Sequence, residues 1–150
     1  MKMSFKRIIR IIFLRLVEKG FFLNGNQRAH IAKLGGVNIL KAHNTSIGNG
    51  VIFDSMYPEN IEIGVHTHIT MGCILLTHSI DTNKHKKYGI PWKKHKIKIG
   101  DYVFIGARTI ICSNVEIGDN AIIGAGSIVT KNIPPNQIWA GNPARFIKER

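Results

Sequence analysis

The chain has 150 residues, of which 44% are apolar and 20% are charged, values that are ordinary for one soluble globular domain with its own core. Its formal net charge of +12 is concentrated in residues 1–20 and 79–98, which argues against a uniformly basic nucleic-acid binder. The two cysteines, Cys73 and Cys112, form no metal or redox motif, so the sequence does not support a disulfide framework and favours a reduced, cytoplasmic setting.

The first predicted element, within residues 1–20, is an amphipathic helix. Its apolar side chains follow the spacing i, i+3, i+4, i+7 of one helix face, and Gly20 suits its end. Arg10 and Arg15 interrupt the apolar run, which argues against a signal peptide or a membrane span. Two kinds of surface can cover the stripe. The one we favour is the open end of the coil predicted below, or a neighbouring subunit; the other is an anionic membrane face that basic residues 1–19 would attract. The stripe is Phe5, Ile8, Ile9, Ile12, Phe13, Leu16 and Val17.

A six-residue repeat then occupies residues 37–134. A helix does not explain this period, because six residues are far from a whole number of turns. A short strand followed by a tight corner does, with the aliphatic residue pointing inward. The clearest series is Ile99, Ile105, Ile111, Ile117, Ile123 and Val129, with a small or β-branched residue four places after each.

Three such sides make a triangular coil of 18 residues, and residues 18 apart stack on one another, as Ile99 on Ile117. Earlier repeats run through Ile47 and Phe53 and resume at Ile63, which predicts an insertion of about four residues between them. The repeat is lost again over residues 79–96, a basic excursion loop of the kind that is more often functional than accidental. After Pro134-Pro135, residues 135–150 form a short tail.

The stretch IGDYVFIGARTIICSNVEIGDNAIIGAGSIVTKNIPPNQIWAGNPARFIKE resembles bacterial hexapeptide-repeat O-acetyltransferases, such as the maltose, galactoside and polysaccharide enzymes. The resemblance covers residues 75–150. It implies an all-β fold, a left-handed parallel β-helix of hexapeptide repeats with three active sites between the subunits of a homotrimer. It also implies acetyl-CoA as co-substrate, a sugar or glycan hydroxyl as acceptor, and no metal. Two departures are Phe104, where many relatives have Trp, and the absence of the N-terminal domain of the sugar enzymes.

Carried over residue by residue, the resemblance assigns the catalytic base to His78 in LLTHSID, just before the excursion loop. An imidazole changes protonation near neutral pH, so it can accept a proton from an attacking hydroxyl. The CoA arm is expected to run along small residues of the last repeats, with Thr and basic residues near its phosphates. These candidates are Gly106, Ala107, Gly124, Ala125, Gly126, Thr130, Lys131 and Arg145.

Three further candidates lie in the excursion loop. Asp81 is positioned to orient His78 or to contact the acceptor, although a solvated loop acid is the simpler interpretation. Trp92 offers an aromatic platform for a sugar, and packing of the loop on the coil explains it equally simply. His85 is a candidate substrate-binding residue whose simpler interpretation is a solvent-facing side chain.

Alternatives remain open on the sequence alone. The same chemistry serves a serine or an amino-sugar nitrogen as acceptor. A non-catalytic β-helical scaffold would keep the repeats without needing His78. A carbonic anhydrase of this fold would bind zinc through three histidines, two of them five residues apart. The residue five places after His78 is Asn83, and no histidine follows His95.

Overall fold

The computed structural model describes residues 4–20, 22–81 and 91–150. The chain begins with two helices, α1 (Phe5–Lys19) and α2 (Gly25–Leu34). The sequence predicted one helix and missed α2, whose apolar periodicity is weak. Its start nevertheless carries a capping box, in which Asn24 and Gln27 each accept a hydrogen bond from the other's backbone N–H.

In the described part of the chain, sixteen short strands follow the helices, and two 3₁₀ turns, Ala42–Asn44 and Pro58–Asn60, interrupt them. The strands are β1 (Asn38–Ile39), β2 (Ser46–Ile47), β3 (Ile52–Phe53), β4 (Ile61–Ile63), β5 (His68–Ile69), β6 (Ile74–Leu75), β7 (His78–Ile80), β8 (Trp92–Lys94), β9 (Ile97–Ile99), β10 (Phe104–Ile105), β11 (Ile110–Ile111), β12 (Val115–Ile117), β13 (Ile122–Ile123), β14 (Ile128–Val129), β15 (Gln137–Ala140) and β16 (Arg145–Glu149).

Consecutive strands of the coil belong to three different sheets, which are its three sides. Sheet A has the order β1-β4-β9-β12, sheet B β16-β15-β13-β10-β5-β2, and sheet C β14-β11-β6-β3. All neighbours are parallel except β15 and β16. The predicted stacking of residues 18 apart is confirmed, because Ile99 pairs with Ile117, Ile105 with Ile123 and Ile111 with Val129.

The core is the interior of this coil. Each strand turns one aliphatic side chain inward, and these side chains are almost completely buried. The B–C corner, between sheets B and C, takes a residue in the left-handed backbone region at Gly50, Gly72, Arg108 and Gly126, with φ between 58° and 71°. A tight corner of this kind turns the chain from one side of the coil to the next within two residues, which explains the six-residue period.

Two departures from the repeat lie at the C–A corner, where the chain leaves sheet C. The 3₁₀ turn Pro58–Asn60 accounts for the inserted residues, since Phe53 pairs with Leu75, 22 positions later rather than 18. Beyond Leu75 the chain leaves the coil as an antiparallel hairpin of β7 and β8. The part of the excursion loop between these two strands, residues 82–90, lies outside the described residues.

The two helices cover the first coil. Helix α2 contacts β1, β2 and the Ala42–Asn44 turn, and α1 contacts α2 and β3. Leu14 and Val17 are the buried residues of α1. Most of its apolar stripe is therefore exposed in the single chain, namely Phe5, Ile8, Ile9, Ile12 and Leu16. Among the described residues, no helix has both the length and the apolar character that a membrane crossing needs.

Candidate active site

A buried carboxylate holds the predicted base. Asp54 follows β3 and His78 begins β7, and Oδ2 of Asp54 forms a hydrogen bond with Nδ1 of His78. The carboxylate also accepts the backbone N–H of Thr77 at 2.8 Å and that of Met56 at 2.9 Å. The side chain of Asp54 is 4% exposed and that of His78 is 24% exposed. The pair therefore has a fixed buried end and a free end that faces solvent.

These contacts keep Asp54 ionised and orient His78. Burial raises the pKa of Asp54, but hydrogen bonds from the backbone of Met56 and Thr77 and from the His78 side chain outweigh it, so the net pKa is lowered. An ionised carboxylate accepts a hydrogen bond and cannot donate one, which places a proton on Nδ1 of His78. Nε2 of the neutral imidazole then carries the free lone pair, the state that a general base requires.

The role of Asp54 was not predicted from the sequence, although the repeat indicates that this residue lies near His78. The ladder that stacks Phe53 on Leu75 sets Asp54 beside the residues just before His78. Asp81, the acid that the sequence proposed for this role, lies at the end of β7, where its backbone N–H donates to the carbonyl of Pro91 at 2.9 Å. The carboxylate at Nδ1 is that of Asp54, and the role of Asp81 stays a prediction.

The hairpin brings an aromatic ring against His78. The rings of Trp92 and His78 meet edge to face, with centroids 4.8 Å apart and planes at 84°. Trp92 is 46% exposed, so part of its ring remains available to a ligand. His85, the other candidate substrate-binding residue of the loop, lies outside the described residues.

A second histidine fastens the base of the hairpin. Nε2 of His95 lies 2.8 Å from Oγ of Ser79, and the His95 backbone N–H donates to Thr77 at 2.8 Å. Burial, and secondarily the charge of Lys93, lower the pKa of His95 and favour its neutral form. These bonds hold the residues on both sides of His78, which limits the positions available to its ring.

His78 and Asp54 border a cleft of about 230 Å³ between the coil and α1. Ile11 and Leu14 form its apolar wall, and Arg15 and Glu18, which pair at 2.6 Å, stand on the same helix. We call this space the histidine cleft. His78 thus lines a space that can admit a second molecule.

The candidate CoA-binding residues lie elsewhere, chiefly on the B–C corner. Gly106 and Gly124 occupy equivalent positions of successive coils, and a Cβ on Gly106 would come within 2.4 Å of the Ala125 backbone nitrogen. A Cβ on Gly126 would meet nothing within 4 Å, so that corner is open. Ala125 is exposed there and Ala107 is half-buried. The packing of the next coil therefore explains why residue 106 is glycine, whereas Ala125 and Gly126 leave an accessible edge.

The polar candidates follow the last coil. Thr130 is exposed after β14, and Nζ of Lys131 lies 5.2 Å from the centroid of the Trp139 ring. Arg145 is exposed at the start of β16 and donates to the Ala144 carbonyl at 3.1 Å. Within one chain His78 is at the C–A corner, so one side of the coil, roughly 16–20 Å of extended chain, separates it from the B–C corner. Among the described residues, no group of three or more His, Cys, Asp or Glu side chains is arranged to hold a metal ion.

Sequence comparisons identify relatives of the coil. Residues 96–131 match the family described as bacterial transferase hexapeptide (six repeats). Protein CapG of Staphylococcus aureus is 49% identical over 92 residues, which are 61% of this chain and 54% of that protein. YvoF of Bacillus subtilis (strain 168), which carries the name of an acetyltransferase, is 37% identical over 103 residues, 69% of this chain and 56% of YvoF. The matches span about half the length of these curated relatives.

Solved structures extend the likeness to almost the whole chain. A maltose O-acetyltransferase from Clostridium difficile 630 superposes with a TM-score of 0.71 at 28% identity, over 96% of this chain and 86% of that enzyme. A galactoside acetyltransferase in complex with coenzyme A gives a TM-score of 0.67 at 29% identity, over 96% of this chain and 80% of that enzyme. The resemblance seen in the terminal repeats is thereby confirmed: this chain is similar, in its repeats and in its fold, to the bacterial hexapeptide-repeat acetyltransferases.

Proposed function

We propose that residues 1–150 form one acyltransferase domain that moves an acetyl group from acetyl-CoA to a hydroxyl of a sugar or glycan. The observation that carries this proposal is the hydrogen bond between buried Asp54 and partly exposed His78 beside the histidine cleft. A scaffold protein has no need of an ionised carboxylate that fixes one tautomer of a histidine. The acceptor class and the donor are supported by the maltose, galactoside and coenzyme A named in the similar structures.

The transfer is a direct displacement. Nε2 of His78 removes the proton of the acceptor hydroxyl as the oxygen attacks the thioester carbonyl carbon, forming a C–O bond and an oxyanion. The oxyanion collapses and the C–S bond breaks. The sulfur leaves with the proton held by His78, which gives free CoA and the acetyl ester. Asp54 stabilises the imidazolium that exists between these two steps.

We also propose that the coil is left-handed and that the working enzyme is a homotrimer. The separation of His78 from the B–C corner supports this arrangement, because a CoA laid along the small residues of one copy needs the histidine of another. The donor groove would comprise Gly106, Ala107, Gly124, Ala125 and Gly126, with Thr130, Lys131 and Arg145 near the phosphates. Light scattering tests the assembly, and a monomer mass at micromolar concentration would contradict it.

For localisation we propose the cytoplasm, with peripheral contact at the inner membrane face. The exposed stripe of α1, which includes Phe5, Ile12 and Leu16, supports this contact, as does the basic character of residues 1–19. The competing cover is a neighbouring subunit. Flotation with anionic vesicles separates the two, since a protein that remains with the soluble fraction at low salt does not bind the membrane.

The activity itself is tested by following free thiol release from acetyl-CoA in the presence of a panel of hydroxyl acceptors. We expect acceptor-dependent release and an acetyl ester in the product. Acetylation of serine or of an amino-sugar nitrogen instead would show that the acceptor is one of the alternatives and not a sugar hydroxyl. If none of these acceptors stimulates thiol release, the proposal is contradicted.

A further inference from the structure

A second cleft, of about 220 Å³, lies between the first half of α1 and the segment 55–59. Four cationic side chains line it, three from α1 and one from β8, and the lining contains one carboxylate, that of Glu59. We call it the basic cleft. Its cations are Lys6, Arg7, Arg10 and Lys94. The excess of positive charge makes an anion the natural occupant of this space.

The cations are only partly satisfied by the protein. Glu59 pairs with Arg10 at 3.3 Å. Nε of Arg7 is buried and has no hydrogen-bond partner among the described residues. Nζ of Lys94 lies 4.4 Å from the centroid of the Tyr57 ring, at the edge of the cleft. Glu59 is the one carboxylate that lines this cleft beside four cations, so an anionic ligand with several acceptor oxygens would neutralise the remaining charge.

The basic cleft adjoins His78. In the β7–β8 hairpin His78 pairs with Lys94, and residues directly opposite in an antiparallel pair project from the same face with Cβ atoms about 5 Å apart. Ser55 lines both the basic cleft and the histidine cleft. Helix α1 walls both, and its residues Arg7 and Arg15, one in each cleft, are about 12 Å apart along the axis. One small molecule can therefore occupy the two clefts together.

Resting on the function proposed above, we propose that the acceptor is a saccharide that carries a phosphate, and that the basic cleft binds this phosphate while His78 receives the hydroxyl. Guanidinium groups bind phosphate oxygens in pairs and ammonium groups add compact charge. A neutral saccharide would leave the excess positive charge of the basic cleft uncompensated. Glycosyl phosphates occur in nucleotide-activated and in lipid-linked saccharides, which share the chemistry that these cations recognise.

The test compares hexoses, the matching hexose 1-phosphates and hexuronates as acceptors of acetyl groups, using the full-length protein. The variant Lys6→Gln/Lys94→Gln removes two exposed cations of the basic cleft, and Lys33→Gln removes an exposed lysine of α2 as a matched control. We expect hexose 1-phosphates to exceed hexoses in kcat/KM by about tenfold or more, a preference that the double variant loses and the control keeps. Adding nucleotide-linked and polyprenyl-diphosphate-linked sugars then distinguishes the two sources.

Equal kcat/KM for hexoses and their 1-phosphates would overturn the inference and leave the acetyltransferase proposal standing. A hexuronate with the same kcat/KM as the hexose 1-phosphate would overturn it too, because the site would then accept any anionic sugar and would not select phosphate. Calorimetric titration with hexose 1-phosphate decides the case in which no acceptor is acetylated. Binding that weakens in the double variant and not in the control would support a phosphate site even though the proposed reaction fails, and no binding would overturn the inference.

Discussion

The regular coils, residues 97–133, differ from the first coils, residues 38–80, in how strictly they repeat. In the regular coils every strand pairs with one 18 positions away, and the interior is a stack of isoleucine and valine. In the first coils a 3₁₀ turn is inserted before β4 and a hairpin leaves the coil after β6. A third departure, the turn Ala42–Asn44, lies between sheets A and B. The two departures at the C–A corner bring together Asp54, His78 and Lys94. A strict repeat builds a stiff support, and its interruptions carry the polar groups of the proposed active site.

The largest effect that we expect from a single substitution is a loss of activity, and it comes from the first coils. We expect His78→Ala to lower kcat by about 10²–10⁴-fold, because no other group would take the acceptor proton at that point. The melting temperature should change little, since the ring is partly exposed and lies outside the core. Steady-state kinetics with a thermal melt measures both. A variant that turns over at the normal rate would remove His78 from the mechanism.

In the regular coils the corresponding change affects stability instead. Ile105 is fully buried in β10, between β5 and β13, so Ile105→Ala opens a cavity. We expect a loss of about 2–5 kcal/mol in the free energy of unfolding, measured by urea denaturation. Ile147, which is 57% exposed, provides the control, and Ile147→Ala should cost less than about 0.5 kcal/mol. Similar costs for both would mean that the coil interior does not dominate stability.

The same contrast explains which features were predictable from the sequence. The stack of the regular coils follows from its period, because each inward position recurs every six residues and the ladder Ile105–Ile123 needs no other information. His78 followed from the resemblance. Asp54 did not, because the ladder places residue 54 beside residue 76 but does not show that its side chain reaches His78 two residues further on. Helix α2 was missed because its burial depends on the coil end beneath it and its own apolar pattern is short.

A smaller effect is expected at the carboxylate that orients the base. Asp54→Asn removes the charge that stabilises the imidazolium, and a hydrogen bond to a charged group contributes about 1.5–3 kcal/mol, or roughly 10- to 100-fold in kcat. The pH dependence of unfolding provides a second measurement. Because the folded pKa of Asp54 is lowered, its stabilisation is present above the unfolded value near pH 4 and is lost as the pH falls through the folded pKa.

The wild-type protein should therefore lose stability faster than Asp54→Asn as the pH falls below about 4. Denaturation curves at a series of pH values measure this difference. Parallel curves for the two proteins over that range would show that Asp54 is not held ionised by the fold, and the orientation of His78 would then need another cause. The variant Asp81→Asn serves as the comparison, since the sequence proposed Asp81 for the same role.

The smallest effect concerns the helices that cover the first coil. Helix α2 starts at a capping box in which the Asn24 side chain accepts the Gln27 N–H at 2.9 Å, whereas Ser4 makes no side-chain hydrogen bond at the start of α1. We expect Asn24→Ala to cost about 1 kcal/mol in unfolding free energy and Ser4→Ala only a few tenths. If α2 is the cover of the coil end, its loosening should also speed amide exchange in β1 and β2, which it contacts. Exchange that accelerates in α2 alone would mean that the first coil is stable without its cover.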